Sequence, residues 1–222
     1  GRKVMTENIA MLLQGMWETL YMTIASVVFS YLLGLPLGVL FVSTSAHGIA
    51  PRKKLHTVLG WIIDIGRSIP FIILIVELIP VTRAIVGKVI GPTAAIVPLV
   101  IAATPFVARM VETSLEEVDH GVVEAAKTMG ATGWEIITKV LLPESVPSLL
   151  RGLSITTITL IGYSAMAGAV GAGGLGDIAI RYGMHRYDVA MMNVTLVLII
   201  VIVAVIQFAF NKTARRIDKR LR

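Results

Sequence analysis

The chain has 222 residues, 55% of them hydrophobic and 15% charged, where soluble domains carry roughly 25% charged residues. That is a membrane composition, and the net charge of +6 does not argue for nucleic acid because the bases stand at the ends of apolar stretches. Without cysteine there are no disulfides or thiolate metal sites, and His47, His56, His120 and His185 are scattered without ligand spacing.

Gly1 to Val4 precede Met5, and both an added leader and a native start fit them. Trp17 to Val42 is then almost wholly apolar; its 26 residues make about 39 Å of helix, enough to span a bilayer with tilt. It is too long for a signal-peptide core and reads as a retained helix, with Gly34, Pro36 and Gly38 expected to bend its second half. After a basic loop (Arg52, Lys53, Lys54), Val58 to Val81 is apolar but carries Asp64, Arg67, Pro70 and Glu77. Asp64 and Arg67 are spaced to pair locally on one helical face. The alternative is that both sit at the interface, with the deep helix starting at Ser68. Thr93 to Met110 is a third span of 18 residues, about 27 Å, kinked at Pro98 and Pro105 and ended by Arg109.

An acidic stretch, residues 112–147, follows. Val122, Ala125, Ala126 and Met129 recur at helical spacing and predict one face of a short helix that Gly130 stops. Thr132 and Glu135 have the spacing of a capping box, so a second helix starts there and runs to Pro143. Two short helices at an angle, with Ala and Gly admitting another protein close to the backbone, make a docking element. The same spacing also fits a DNA-binding helix-turn-helix, but seven acids (Glu112, Glu116, Glu117, Asp119, Glu124, Glu135, Glu144) against Lys127 and Lys139 would be repelled by phosphate.

The fourth span, Leu149 to Ala172, is rich in Thr, Ser, Ala and Gly. Its polar groups suit a path, and Gly162, Ala165, Gly168 and Ala172 permit close helix packing. Gly171, Gly173 and Gly176 satisfy G-x-G-x-x-G, but no strand precedes them and no acid follows at the right distance; they read as a tight turn ending the helix. Val189 to Phe210 is the fifth span, followed by Lys212, Arg215, Arg216, Lys219, Arg220 and Arg222. No G-x-x-x-x-G-K-[ST] occurs, so a Walker-type ATP site is absent from this sequence, as are a zinc-protease motif and a nucleophile elbow.

Five spans place the termini on opposite sides. Thirteen Lys and Arg fall on the side of the first loop, the acidic stretch and the tail, against six (Arg2, Lys3, Arg83, Lys88, Arg181, Arg186) on the other. The positive-inside rule therefore predicts a cytoplasmic acidic loop and C-terminus, and an N-terminus outside.

Glu124-Ala125-Ala126, then Gly130, then Val140-Leu141-Leu142-Pro143 resembles the EAA loop of ABC importer permease subunits, with Val140 where that family most often has Ile. Arg67-Ser68-Ile69-Pro70-Phe71, the stretch Ile161 to Met166 and the stretch Gly171 to Asp177 resemble the methionine importer permeases in particular. The resemblance implies an all-α integral membrane protein: one permease domain over residues 1–222, about five transmembrane helices, and a cytoplasmic coupling helix between the third and fourth. It implies a homodimer in the bacterial inner membrane, resting on a dimer of ATP-binding cassette subunits that bind ATP-Mg, and fed by an extracytoplasmic substrate-binding lipoprotein. This chain would itself be no enzyme and hold no cofactor. The coupling residues implied are Glu124, Ala125, Ala126, Gly130, Leu142 and Pro143. Tyr163, Ser164 and Met166 on the fourth span are the candidate path and gate; Met166 either plugs a narrow path or fills a gap between helices. A secondary transporter would instead show internal repeats, and a structural or channel-forming protein would have no use for the docking loop.

Overall fold

In bilayer, backbone polar groups must be satisfied within the chain, which selects helices for apolar runs of this length. A computed structural model of the chain describes residues 2–217, with side chains from residue 7 onward. Gly1 and the tail bases Lys219, Arg220 and Arg222 lie outside the described residues, as do the side chains of Arg2 and Lys3. Every described element is helical: α1 (Arg2–Ser43), α2 (Lys53–Ser68), α3 (Phe71–Glu77), α4 (Ile79–Val86), α5 (Pro92–Glu116), α6 (His120–Thr128), α7 (Gly133–Glu135), α8 (Leu142–Gly168), α9 (Gly174–Ile178) and α10 (Val189–Ile217). Two π turns, Ile136–Leu141 and Ala179–Met184, join α7 to α8 and extend α9. Four of these stretches are long and apolar enough to cross a membrane, and the broken pair α2–α3 makes a fifth candidate.

Three spans differ from their sequence expectation. The second is interrupted between Ser68 and Phe71, because Pro70 lacks an N–H and drives Ile69 away from helical backbone. The third does not stop at Arg109; α5 runs unbroken through Pro98 and Pro105 to Glu116. Nor does Pro143 end its helix. Leu142 N–H reaches back five residues to Ile137 O, and this widened turn brings the chain into α8 with Pro143 already inside it.

The residues group into two compact units. The first gathers residues up to Phe29 with Ile69–Ala102 and Thr157–Gln207. Its core is Ile161, Leu175, Ile178, Met191 and Ile202, packed by Leu12, Met16 and Leu20 of α1. The glycine turn after α8 has positive φ at Gly171, Gly173 and Gly174, which ends the helix as a tight turn. Glu18 and Thr19 of α1 hold it: Gly174 N–H donates to Glu18 Oε2 at 2.7 Å, and Leu175 N–H to Thr19 Oγ1 at 2.9 Å. Beneath the turn, Gly168 of α8 lies against the backbone of Gly176 and Asp177, and Gly176 lies against that of Ala165.

The second unit gathers Ser30–Ser68 and Ala103–Thr156 with the end of α10 from Phe208. Val107, Val111, Leu115, Val118, Ile136 and Leu141 form its main core, against Tyr31, Leu35, Val39 and Val42 of α1. Gly34 and Gly38 were expected to bend α1; their role in the fold is close approach to α5. A Cβ on Gly34 would stand 2.7 Å from Val107 Cβ, and one on Gly38 2.7 Å from Val111 Cβ. Asp64 does not pair locally with Arg67. It binds Arg109 at 2.7 Å, and Arg109 also holds Glu112 at 2.6 Å and lies over the Phe41 ring.

The glycine contacts give a direct test. Gly176→Ala drives a methyl into the Ala165 backbone and is expected to destabilise by about 1–3 kcal/mol. Gly60→Ala, whose methyl meets only the Phe41 ring at 3.4 Å, is expected to be neutral or stabilising by up to about 1 kcal/mol. Thermal unfolding of the two variants in detergent checks this; equal shifts would refute the close approach.

Candidate functional site: the α6–α7 docking element

The acidic stretch forms a rigid pair of capped helices. Asp119 caps α6, its Oδ1 accepting from Gly121 N–H at 2.7 Å. At the other end, Ala131 N–H bonds Ala126 O and Gly130 N–H bonds Lys127 O, both at 3.0 Å. With φ +83° at Gly130, this is a Schellman close, the conformation glycine adopts without strain. Thr132 then caps α7 with the full reciprocal box: Glu135 N–H to Thr132 Oγ1, and Thr132 N–H to Glu135 Oε2 at 3.0 Å. Lys139 braces Glu135 at 2.9 Å. Both caps expected from the sequence are present.

The expected apolar face is divided. Val123 and Ala126 pack onto the unit's core with Ala131, Ile136 and Ile137. Val122, Glu124, Ala125, Met129 and Gly130 instead face out, Met129 at 86% exposure and Trp134, on the next helix, at 73%. The periodicity was right about the helix; of the four residues it put on one face, only Ala126 packs inward. An exposed apolar patch with small residues and one carboxylate, mounted on helices whose caps leave little freedom, is the geometry of a surface made to be covered. Leu142 packs partly against the core, and Pro143 is exposed on the first turn of α8.

Comparison with known proteins was decisive. Residues 34–222 match the family described as the binding-protein-dependent transport system inner membrane component. The chain belongs to this family. A probable D-methionine transport system permease protein of Vibrio cholerae is 53% identical over 213 residues, 96% of this chain and 95% of that one. The D-methionine transport system permease protein of Escherichia coli K12 is 52% identical over 158 residues, 71% and 73% of the two chains. A solved inward-facing structure of the MetNI methionine ABC transporter superposes with a TM-score of 0.93 at 51% identity, over 94% of this chain and 97% of that one.

As in any such family member, the path must be sought on the spans. Tyr163, Ser164 and Met166 do not share one environment here. Tyr163 stacks on Phe71, ring centroids 4.7 Å apart and nearly parallel. Ser164 is buried and donates to Ile161 O at 2.8 Å. Met166 is half exposed, on the outward side of α8 shared with Gly162. Sequence reasoning missed Glu18, whose carboxylate holds the glycine turn, since a carboxylate 156 residues from its partner leaves no local signal. It also missed that Gly15, Thr19, Thr23, Ser26, Ser30, Gly34 and Gly38 recur every three or four residues along α1 and are all buried. That spacing was in the sequence to be read.

The rigidity of the pair rests on its caps. Thr132→Ala is expected to cost about 1 kcal/mol, seen as roughly fivefold faster amide hydrogen exchange over residues 133–137 with the Val107–Leu115 core unaffected. Unchanged exchange would show that the cap does not hold the element.

Proposed function

We propose that this chain is the membrane subunit of an ATP-driven methionine importer, and that the α6–α7 surface docks a separate ATP-binding subunit. The observation carrying the docking reading is the outward apolar face of Val122, Ala125, Met129 and Trp134 on a doubly capped pair. Small Ala125 and Gly130 let a partner groove approach the backbone, and Glu124 supplies a charge to orient it. Methionine as substrate rests on the high identity to the D-methionine permeases over nearly the whole chain. ATP-Mg belongs to the partner, since the sequence has no Walker motif of its own. Substrate arrives on an extracytoplasmic binding lipoprotein, and two copies of this chain frame the path, because five spans are few to enclose one. Residues 112–147 and the C-terminus lie in the cytoplasm and the N-terminus outside, on the thirteen-to-six distribution of bases. Met166, with Gly162 on the same outward side of α8, stands at the contact between copies and plugs the path when they close.

Three measurements test these statements. Labelled methionine uptake into vesicles carrying the complete transporter should fall at least tenfold with Met129→Glu or Gly130→Leu, the chain remaining in the membrane. Gly130→Ala separates docking from capping: both substitutions strain the left-handed backbone alike, so only docking predicts that Ala retains uptake where Leu loses it. Normal uptake with Gly130→Leu overturns the docking site.

For topology, a cysteine at Ser45 should resist an impermeant thiol reagent added outside, and one at Gly87 should react; the native chain has no cysteine to confuse the labelling. The reversed pattern would put the docking element on the wrong side for an ATPase.

For the gate, Met166→Ala should raise basal ATP hydrolysis, or leak without binding protein, several-fold with little change in melting temperature. A lower melting temperature with unchanged basal hydrolysis and no leak would leave Met166 as a packing residue.

A further inference from the structure

The last turns of α10 carry a feature that neither transport nor docking uses. From Val189 to Phe208 the helix is apolar over about 30 Å, the thickness of a hydrocarbon core. Val197, Val201, Val205 and Phe208 are exposed at intervals of three or four residues and form one stripe, with Phe208 at 68% exposure. Lys212 and Arg215 continue that stripe at the same spacing, and Arg216 flanks it. The opposite side is anchored, since Ala214 is buried. Phe208, Asn211, Lys212, Arg215 and Arg216 border a shallow, open groove on α10, and Lys212 Nζ stands 5.7 Å from the centre of the Phe208 ring. From residue 189 onward the sequence has one acid, Asp218, against six bases, and among the described residues no carboxylate pairs with these three cations.

We propose that this groove on α10 is a binding site for an anionic phospholipid. Phe208 lies against the acyl chains, and Lys212, Arg215 and Arg216 surround the headgroup phosphate. The vertical order supports a lipid over a protein partner: the cations begin about 6 Å beyond Phe208 along the helix, where headgroups meet hydrocarbon, and they share a face with the lipid-exposed stripe. The two guanidinium groups offer planar forks to phosphate oxygens, and the ammonium adds a point charge. Asn211 contributes an amide donor at the same level. The site does not depend on which side of the membrane α10 ends.

The test uses the full chain in a non-ionic detergent, titrated with dioleoyl phosphatidylglycerol or dioleoyl phosphatidylcholine, with bound lipid counted by native mass spectrometry. Wild type should retain phosphatidylglycerol at least tenfold better than phosphatidylcholine. Each of K212Q, R215Q and R216Q should weaken the anionic lipid by roughly fivefold, and the triple variant should lose the preference. Arg83→Gln with Lys88→Gln, which removes two positive charges elsewhere, should keep it. Should the triple variant fail to fold, the three single variants decide by the same criterion. A triple variant that retains phosphatidylglycerol as wild type does overturns the site, as does wild type binding both lipids alike. Displacement of the lipid by 10 mM inorganic phosphate would make this a free-anion site and overturn it too. So would a triple variant that keeps the lipid preference and instead loses co-purifying ATP-binding subunit, which would assign the cations to a protein surface.

Discussion

Helices in a bilayer gain nothing by hiding apolar surface from one another, since lipid tails are as apolar as leucine; they hold together by fit. This chain meets that constraint with small residues at the points of closest approach. Gly34 and Gly38 admit Val107 and Val111, Gly168 and Gly176 admit backbone, and one face of α1 is small or hydroxylated along most of its length. The hydroxyls close locally where they can, as Ser164 does on Ile161 O and Thr156 on Gly152 O. Val197, Val201 and Phe208 lie outside the packed faces and are exposed.

The α6–α7 pair, the proposed docking element, follows the opposite logic and is held by caps. Its helices are too short to be stable alone, so side-chain caps and a Schellman turn fix them, and Ile136 and Leu141 tether them to the core of their unit. Met129 and Trp134 stay outside that core and are exposed, which is what the proposed docking role requires. A rigid lever with an apolar tip transmits displacement better than a flexible loop of the same length. That is what a transporter needs if ATP chemistry in one subunit is to move helices in another.

Much of this was legible in the sequence because the signals are local. Composition and span length gave the all-helical membrane class. Gly130, Thr132 and Glu135 gave the inner helix boundaries of the pair through short-range hydrogen bonds, while the Asp119 cap came only with the structure. What could not be read was long-range or depended on what is left uncovered. Asp64 finds Arg109 across 45 residues in preference to Arg67 at three, because α5 continues past the point where a basic residue was taken as its end. Periodicity put Val122 and Met129 on one helix face, but it reports only that a face is apolar, not what covers it. Pro143 looked like a stop, and would be one in an ideal α-helix; the π turn before it changes the bonding that the proline would have broken.

That π turn also has an effect on phase. A helix advances 100° per residue, so the extra residue held between Ile136 and Leu141 rotates everything in α8 by nearly a third of a turn relative to an uninterrupted helix begun at Gly133. Thr156, Ser164 and Gly168 are buried on α8, downstream of that offset. Removing one residue from the bulge would leave composition and hydropathy almost untouched while turning the buried hydroxyls toward lipid. The six residues thus act as an angular spacer, setting which side of α8 the rest of the molecule sees.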